Sequence, residues 1–396
     1  MSRRTAARFS FVTGLLAWGA LQASMLAPAA AATAAPSAPG ASAGPATLVP
    51  LKTRNVVLIV SDGLRWQEVF SGADPLLMNE KNGGIWDKED DLRREFWRDD
   101  PGERRKALFP FLWSTVVTRG QIFGNQAKGS VAHVTNGVAF SYPGYNEMLT
   151  GHPDARIDSN EFGPNPNLSV FEWLNGQADL RGQVGVYATW DIFKDIFNVR
   201  RSNLPLHVGW DLAYKGTLTP RQELLNQLYR TTTRVDFEDT FDSLMEIPLL
   251  DSLHDSQPRV LFVGCGETDN WAHAGRYDLV LHSAHAFDQF VQTLWNTMQA
   301  LPVYRDRTTF IITTDHGRGS GTVDWKEHGV EQPGSENIWI AVMGPDTRPL
   351  GERAKIAPVA QAQIAATVAA LLGKDYPRAV PAAAGPFVDV LAGGGR

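Results

Sequence analysis

Five short apolar runs, each rich in β-branched residues and each stopping at a loop signal, constrain the fold of this chain more than any other feature. Residues 56–60 lead into Ser61-Asp62-Gly63, residues 184–188 into Thr189-Trp190-Asp191, and residues 260–263 into Gly264. Residues 310–314 end at Asp315-His316-Gly317, and residues 338–343 end at Gly344-Pro345. None alternates apolar with polar, as a strand with one wet face would, so each is expected to be covered on both faces. The intervals between them accommodate crossover helices, and two of these are legible. Leu281, Ala284, Phe287, Val291, Leu294 and Met298 recur at steps of three and four over residues 278–298. Ile364, Val368 and Leu371 share a face over residues 361–372 before Gly373 stops the helix. The expected fold is α/β, a mostly parallel central sheet with helices on both faces. Ligands of such sheets bind beyond the carboxyl ends of the strands, which places Asp62, the stretch from Gly264, Asp315 and His316 on the functional edge.

The side chains on that edge have the chemistry of metal ligands. Asp269 and His273 lie four apart, so a helical turn would put both on one side to chelate one ion. Asp315 and His316 are adjacent at a strand end, His328 follows in Trp325-Lys326-Glu327-His328-Gly329, and Asp62 closes the first strand. Taken singly, each is as ordinary as a turn aspartate or a hydrogen-bonded histidine. Their shared place beyond strand ends carries the reading. Six such donors are too many for one catalytic ion. With a shared hydroxyl they suit two ions about 4 Å apart, which clamp the attacking and leaving oxygens of a displacement. Oxygen and imidazole donors without thiolate fit Zn2+, Mn2+ or Fe2+, with zinc the default. Cys265 is the sole cysteine, so neither an intrachain disulfide nor an all-cysteine metal site can form.

Ser141 begins a segment in which Pro143 and Gly144 turn the chain before a short helical stretch ending at Thr150-Gly151. A hydroxyl near a helix start faces free backbone amides that favour a bound phosphate. The ordinary reading of the same serine is an N-cap, which the window alone favours, so something more specific has to decide between the two roles.

In its motifs the chain resembles the alkaline phosphatase superfamily. The Ser141 segment is most similar to the nucleotide pyrophosphatase/phosphodiesterase pattern Thr-Phe-Pro-Asn-x-x-x-x-x-Thr-Gly, matched here by Ser141-Tyr142-Pro143-Gly144 and Thr150-Gly151. The resemblance implies that Ser141 is the nucleophile. It implies one ion held by Asp62, Ser141, Asp315 and His316, and another held by Asp269, His273 and His328. An asparagine past the nucleophile often holds a nonbridging phosphoryl oxygen in the family, and Asn160, Asn165 and Asn167 all lie in the right region. Gly144 departs from the asparagine of the diesterases, and a serine nucleophile is more familiar in monoesterases. The implied activity is hydrolysis of phosphate monoesters or diesters through a phosphoseryl intermediate. Alternatives with the same residues are an envelope phosphoryl or phosphoethanolamine transferase, a sulfatase, and a non-catalytic phosphate- or metal-binding protein. The sulfatase pattern requires arginine where Tyr145 stands.

Residues 1–34 read as a cleaved export signal. Arg3, Arg4 and Arg8 precede an apolar run, and Ala32-Thr33-Ala34 offers a small-x-small cleavage site. The implied destination is the periplasm or the exterior, with no stable membrane span after cleavage. Residues 35–50, all Ala, Pro, Gly, Ser and a few others without charge, read as a disordered linker. Residues 51–396 are expected to form one metallohydrolase domain with a charged insertion near 80–110. Within it, fifteen of the twenty residues 87–106 are charged, with both signs mixed, which reads as a solvated ion-paired surface or, through Trp86, Phe96 and Trp97, as a lid. The net charge of -6 falls to -9 once the three leader arginines are gone, leaving no basic surplus for a nucleic acid backbone. The expected partner is a small phosphate ester; the oligomeric state is left open.

Overall fold

The computed structural model describes residues 50–235 and 238–391; the expected export signal and nearly all of the linker lie outside the described residues. Strands β1 (Asn55–Ser61), β2 (Gln121–Phe123), β3 (Ala132–His133), β4 (Val184–Ala188) and β5 (Leu206–Val208) come first. They are followed by β6 (Val260–Cys265), β7 (Thr308–Thr313), β8 (Asn337–Ile338), β9 (Ile340–Met343), β10 (Gly351–Glu352) and β11 (Val359–Ala360). Eight of them form one sheet in the order β10-β2-β9-β7-β1-β6-β4-β5, and β11-β3-β8 form a small second sheet. All neighbouring pairs in the large sheet are parallel except those of β9, which runs antiparallel to both β2 and β7.

The sheet is covered on both faces, which explains the continuous apolar runs. Val57 and Ile59 of β1, Leu261 and Val263 of β6, and Phe310 and Ile312 of β7 pack on one side with the long helix Tyr277–Ala300. Val56, Leu58 and Val60, Val260 and Phe262, and Ile311 pack on the other with the helices Ser141–Thr150, Val170–Asn175 and Gln363–Leu371. Each fully buried Val, Leu or Ile contributes about 1.5–3 kcal/mol, so β1, buried at every position, anchors the sheet. No helix among the described residues is long and apolar enough to cross a membrane.

The run 338–343 departs from the expected single parallel strand. It divides at Trp339, whose indole is buried and donates to the Leu64 carbonyl at 3.1 Å, so that β8 joins the small sheet and β9 the large one. The charged stretch forms two helices, Glu89–Phe96 and Pro101–Leu108, which bury Leu92, Phe96, Arg104 and Leu108 and turn most of the remaining charge outward. Trp97 packs against the core with the Arg104 guanidinium 4.3 Å from its ring centre, whereas Trp86 lies in solvent.

Candidate metal centre

Three adjacent central strands deliver the donors. β7, β1 and β6 end side by side, and Asp315-His316, Asp62 and the helix Glu267–His273 follow them directly. Gly63 makes the turn after β1 at φ +57°, and a Cβ there would lie 2.6 Å from Asp269 Oδ1. Its amide donates to Asp315 Oδ1 at 3.0 Å, tying the β1 and β7 loops together.

The six expected ligands converge. His316 Nε2 lies 3.4 Å from Asp62 Oδ1, 3.4 Å from Asp315 Oδ2 and 3.9 Å from Asp269 Oδ1. His328 stacks on His316 with ring centres 3.9 Å apart, and its Nε2 is 3.1 Å from His273 Nε2, which in turn is 3.4 Å from Asp269 Oδ2. Two groups have donor atoms close enough to share an ion: Asp62, Asp315 and His316, and Asp269, His316 and His328. The first matches the resemblance; in the second His316 stands where His273 was expected, and His273 sits at the outer rim of the same cluster.

Three observations fit these residues to metal ions. Asp62 Oδ1 and Asp315 Oδ2 are buried oxygens without a hydrogen-bond partner, a costly arrangement unless a cation takes the place of a donor. His316 Nδ1 donates to the Gly317 carbonyl and His328 Nδ1 to the Ala139 carbonyl, both at 2.9 Å, which fixes the tautomer and leaves each Nε2 as the ligand atom. His273 Nδ1 faces Glu327 Oε2 at 3.5 Å in the same way. Third, burial holds His328 and His273 below the ordinary imidazole range, the neutral state in which imidazole binds metal. Burial opposes charge on His316 too, but the Asp315 and Asp62 carboxylates override it and push the imidazole up to about 9. Burial, reinforced by the charge on Asp62, pushes Asp315 up to about 7.

Ser141 is the first residue of its helix, whose N-cap is Phe140. Its hydroxyl makes no cap bond. It lies 3.2 Å from His316 Nε2, and the free amide of Tyr142 is satisfied instead by Asn160 Oδ1 at 3.0 Å. Gly144 lets this helix touch the end of β7, since a Cβ there would come 2.5 Å from the Asp315 carbonyl oxygen. The three asparagines separate. Asn160 lines a cavity of roughly 200 Å3 with Asp62, Ser141, Asp269, His273 and His328. Asn165 and Asn167 donate to Asn146 Oδ1 at 3.1 and 3.0 Å, behind the helix. The helices of the charged stretch line neither this cavity nor the one adjoining it.

Sequence reasoning missed two residues. Arg318 is almost fully buried; it pairs with the Asp269 carboxylate and donates to the Gly63 and Lys326 carbonyls, so one guanidinium joins the β1 loop, the Asp269 helix and the approach to His328. Burial lowers it to about 9, which leaves it a cation at neutral pH. Tyr145 donates to Asp62 Oδ2 at 2.9 Å and fixes that carboxylate. Arg318 directly follows Asp315-His316-Gly317, and that adjacency was the available signal.

No family model and no curated protein matches the sequence. Solved structures do share its architecture. The alkaline phosphatase PafA aligns over 87% of this chain and 100% of its own, with a TM-score of 0.56 and 11% identity. The phosphonate monoester hydrolases of Silicibacter pomeroyi and Agrobacterium radiobacter each align over 87% of this chain and 78% of theirs, with TM-scores of 0.51 and 12% identity. At such identities the likeness is one of fold: the chain has the α/β architecture of the alkaline phosphatase superfamily, and these structures single out no branch of it.

Proposed function

We propose that the protein is an exported two-metal phosphoric ester hydrolase in which Ser141 is the nucleophile, nearest in motif to the nucleotide pyrophosphatase/phosphodiesterase branch. The observation that carries this reading is the hydroxyl of Ser141, free of any capping role and 3.2 Å from His316 Nε2, at the rim of two donor groups that contain unpartnered carboxylate oxygens. Asp62, Asp315 and His316 would hold one ion, and Asp269 and His328 with His273 the other, zinc being the first candidate. When bound, such ions supply Lewis-acid stabilisation of negative charge on the serine, phosphoryl and leaving oxygens.

The chain's own residues do the rest. Ser141 Oγ attacks phosphorus in line and its hydroxyl proton passes to solvent; the Oγ–P bond forms as the bond from phosphorus to the alcohol oxygen breaks, and the departing alkoxide takes a proton from water. Water then adds to the phosphoserine, releasing phosphate from a monoester, or a monoester from a diester, and restoring the hydroxyl. Amides at the start of the Ser141–Thr150 helix favour the phosphoryl charge. Asn160, whose carbonyl oxygen is engaged by Tyr142, has its amide nitrogen left to donate to a nonbridging oxygen. Arg318 and Tyr145 position Asp269 and Asp62 without touching substrate.

The test compares aryl phosphate, aryl phosphodiester and aryl sulfate on metal-replete protein, with acid quench and mass spectrometry for phosphate on Ser141. A Ser141→Ala protein that binds its metals and turns over at the wild-type rate defeats the mechanism. A sulfate as fastest substrate, together with an aldehyde at position 141, would identify a sulfatase instead. Transfer to an added alcohol in preference to water would identify a transferase.

A further inference from the structure

We infer that the alcohol half of the substrate carries an ammonium group, seated in a second cavity that adjoins the metal centre; this rests on the proposed ester-hydrolase reading. The cavity, roughly 260 Å3, shares Asp239, Asn270 and His273 with the cavity lined by Ser141, so the two adjoin. It shares His273 and not Ser141. In-line attack expels the leaving oxygen away from the nucleophile, which points the alcohol half toward this space.

Its lining selects a cation. Asp239 and Glu267 add carboxylates beyond the candidate metal ligands and Phe241 and Trp271 add aromatic rings, while Glu238 and Trp190 line the adjoining cavity at the metal centre. Among the described residues lining either cavity there is no lysine or arginine. A polyanionic leaving group such as a nucleoside phosphate would meet like charge from these carboxylates. An organic ammonium meets carboxylates and the negative faces of aromatic rings. The positions are held by two backbone bonds, Thr240 N donating to the Thr189 carbonyl at 2.9 Å and Asp191 N to the Glu238 carbonyl at 3.2 Å, and by one between side chains, Trp190 Nε1 donating to Glu238 Oε2 at 3.1 Å.

An independent observation points to a ligand. Thr240 lines the cavity at 3% exposure, and its Oγ1 has no hydrogen-bond partner. A buried hydroxyl is seldom left so. A primary ammonium donates to it, which gives Thr240 a role that depends on the N–H groups of the ligand.

The experiment compares esters alike in shape and different in charge, on the metal-replete full chain. Choline phosphate is paired with 3,3-dimethylbutyl phosphate, phosphoethanolamine with propyl phosphate, and an aryl phosphate, whose leaving group carries no ammonium, reports hydrolysis independent of any cation preference. The expected result is a preference of about tenfold or more in kcat/KM for each charged member. Asp239→Asn shrinks both ratios, and Thr240→Val shrinks the phosphoethanolamine ratio alone. Calorimetric titration with choline and with 3,3-dimethylbutanol supplies a readout without turnover, choline binding more tightly. Equal kcat/KM for charged and neutral esters by protein that hydrolyses the aryl phosphate overturns the inference and leaves the hydrolase reading intact. If no phosphate ester is cleaved, the hydrolase reading falls and the calorimetry decides the cavity alone: tighter choline sustains it, equal affinities overturn it. The ester comparison uses wild-type protein, so it survives a variant that fails to fold.

Discussion

Replacing Gly144 with alanine sets two known effects against each other at one atom. Gly144 sits inside the Ser141–Thr150 helix, where Gly→Ala ordinarily stabilises by about 1 kcal/mol. Here the added Cβ would lie 2.5 Å from the Asp315 carbonyl oxygen, against 3.4 Å where ordinary contact begins, so helix and strand end must part by about 0.9 Å. The carbonyl cannot swing aside cheaply, because it accepts from Gln361 Nε2 at 2.7 Å. Overpacking of this kind costs about 1–3 kcal/mol, so net stability should fall by up to about 2 kcal/mol. The larger consequence is catalytic. Ser141 is three residues upstream on the helix that is displaced, and Asp315-His316 lie on the other side of the gap. A misplacement near 1 Å costs on the order of 100-fold in rate. Thermal unfolding and aryl phosphate turnover should be measured on metal-replete Gly144→Ala protein, with metal content checked. A variant that melts above the wild type and turns over within twofold of it would refute the close-contact argument. Gly144→Asn, which restores the diesterase residue, should be worse than alanine because its longer side chain begins with the same Cβ.

Ser141→Ala should lower turnover by several powers of ten while leaving the melting temperature nearly unchanged, since Asn160 rather than Ser141 caps the helix; a drop equivalent to about 1 kcal/mol would reinstate the cap role. Elemental analysis of protein purified without chelator should approach two equivalents of divalent metal, and chelation should lower the melting temperature by stranding Asp62 Oδ1 and Asp315 Oδ2; full activity with one equivalent contradicts this. Arg318→Met should weaken metal retention and lower thermal stability, because Asp269 loses its buried partner; unchanged metal affinity would show that the guanidinium does not position the ligand. Burial depresses His207, on β5, to about 4 from an ordinary value near 6.5. The unfolded chain therefore binds the extra proton, and the contribution present above pH 6.5 is lost as pH falls toward 4, by about 3 kcal/mol. His207→Gln should flatten the fall in chemical-denaturation stability between pH 7 and 4, and an unchanged slope would assign the loss to other groups.

The central strands were legible because burial on both faces leaves an uninterrupted apolar signature, and β1, β4, β6 and β7 lie within two residues of where the runs place them. Strand direction has no such signature. The run 338–343 is as apolar as its neighbours, yet β9 is antiparallel, and the break at Trp339 depends on a carbonyl of Leu64, far away in sequence. Strands of two or three residues such as β3, β5 and β10 are too short to show any period. The candidate metal donors were legible because each follows a strand end or sits in a recognisable motif. The asparagines were not separable, since spacing from Ser141 says nothing of which side of a helix a returning loop takes. Arg318 reads in sequence as a surface charge, and only the crossing of three segments shows that it is buried among them.

The chemistry and the selectivity of this site rest on parts of the fold with different stiffness. Asp62, Asp315 and Asp269 follow the three strands at the middle of the sheet, where every strand has a neighbour on both edges and packed residues on both faces. Moving one of these ligands means disturbing β1, β6 or β7. The second cavity is bounded on one side by the Glu267–His273 helix and on the other by Asp239, Thr240 and Phe241, in the segment leading into the Asp242–Asp255 helix. That segment is tied to the stretch after β4 by the isolated bridge between Trp190 and Asp239 and a few backbone bonds. Such a wall can be altered at a fraction of the stability cost of a core strand. Substitutions at 238–241 should therefore change which alcohol is accepted while the ligand geometry stands, whereas substitutions at Gly63 or Gly144 should reduce turnover of every ester alike, because they part the loops that hold the donors together.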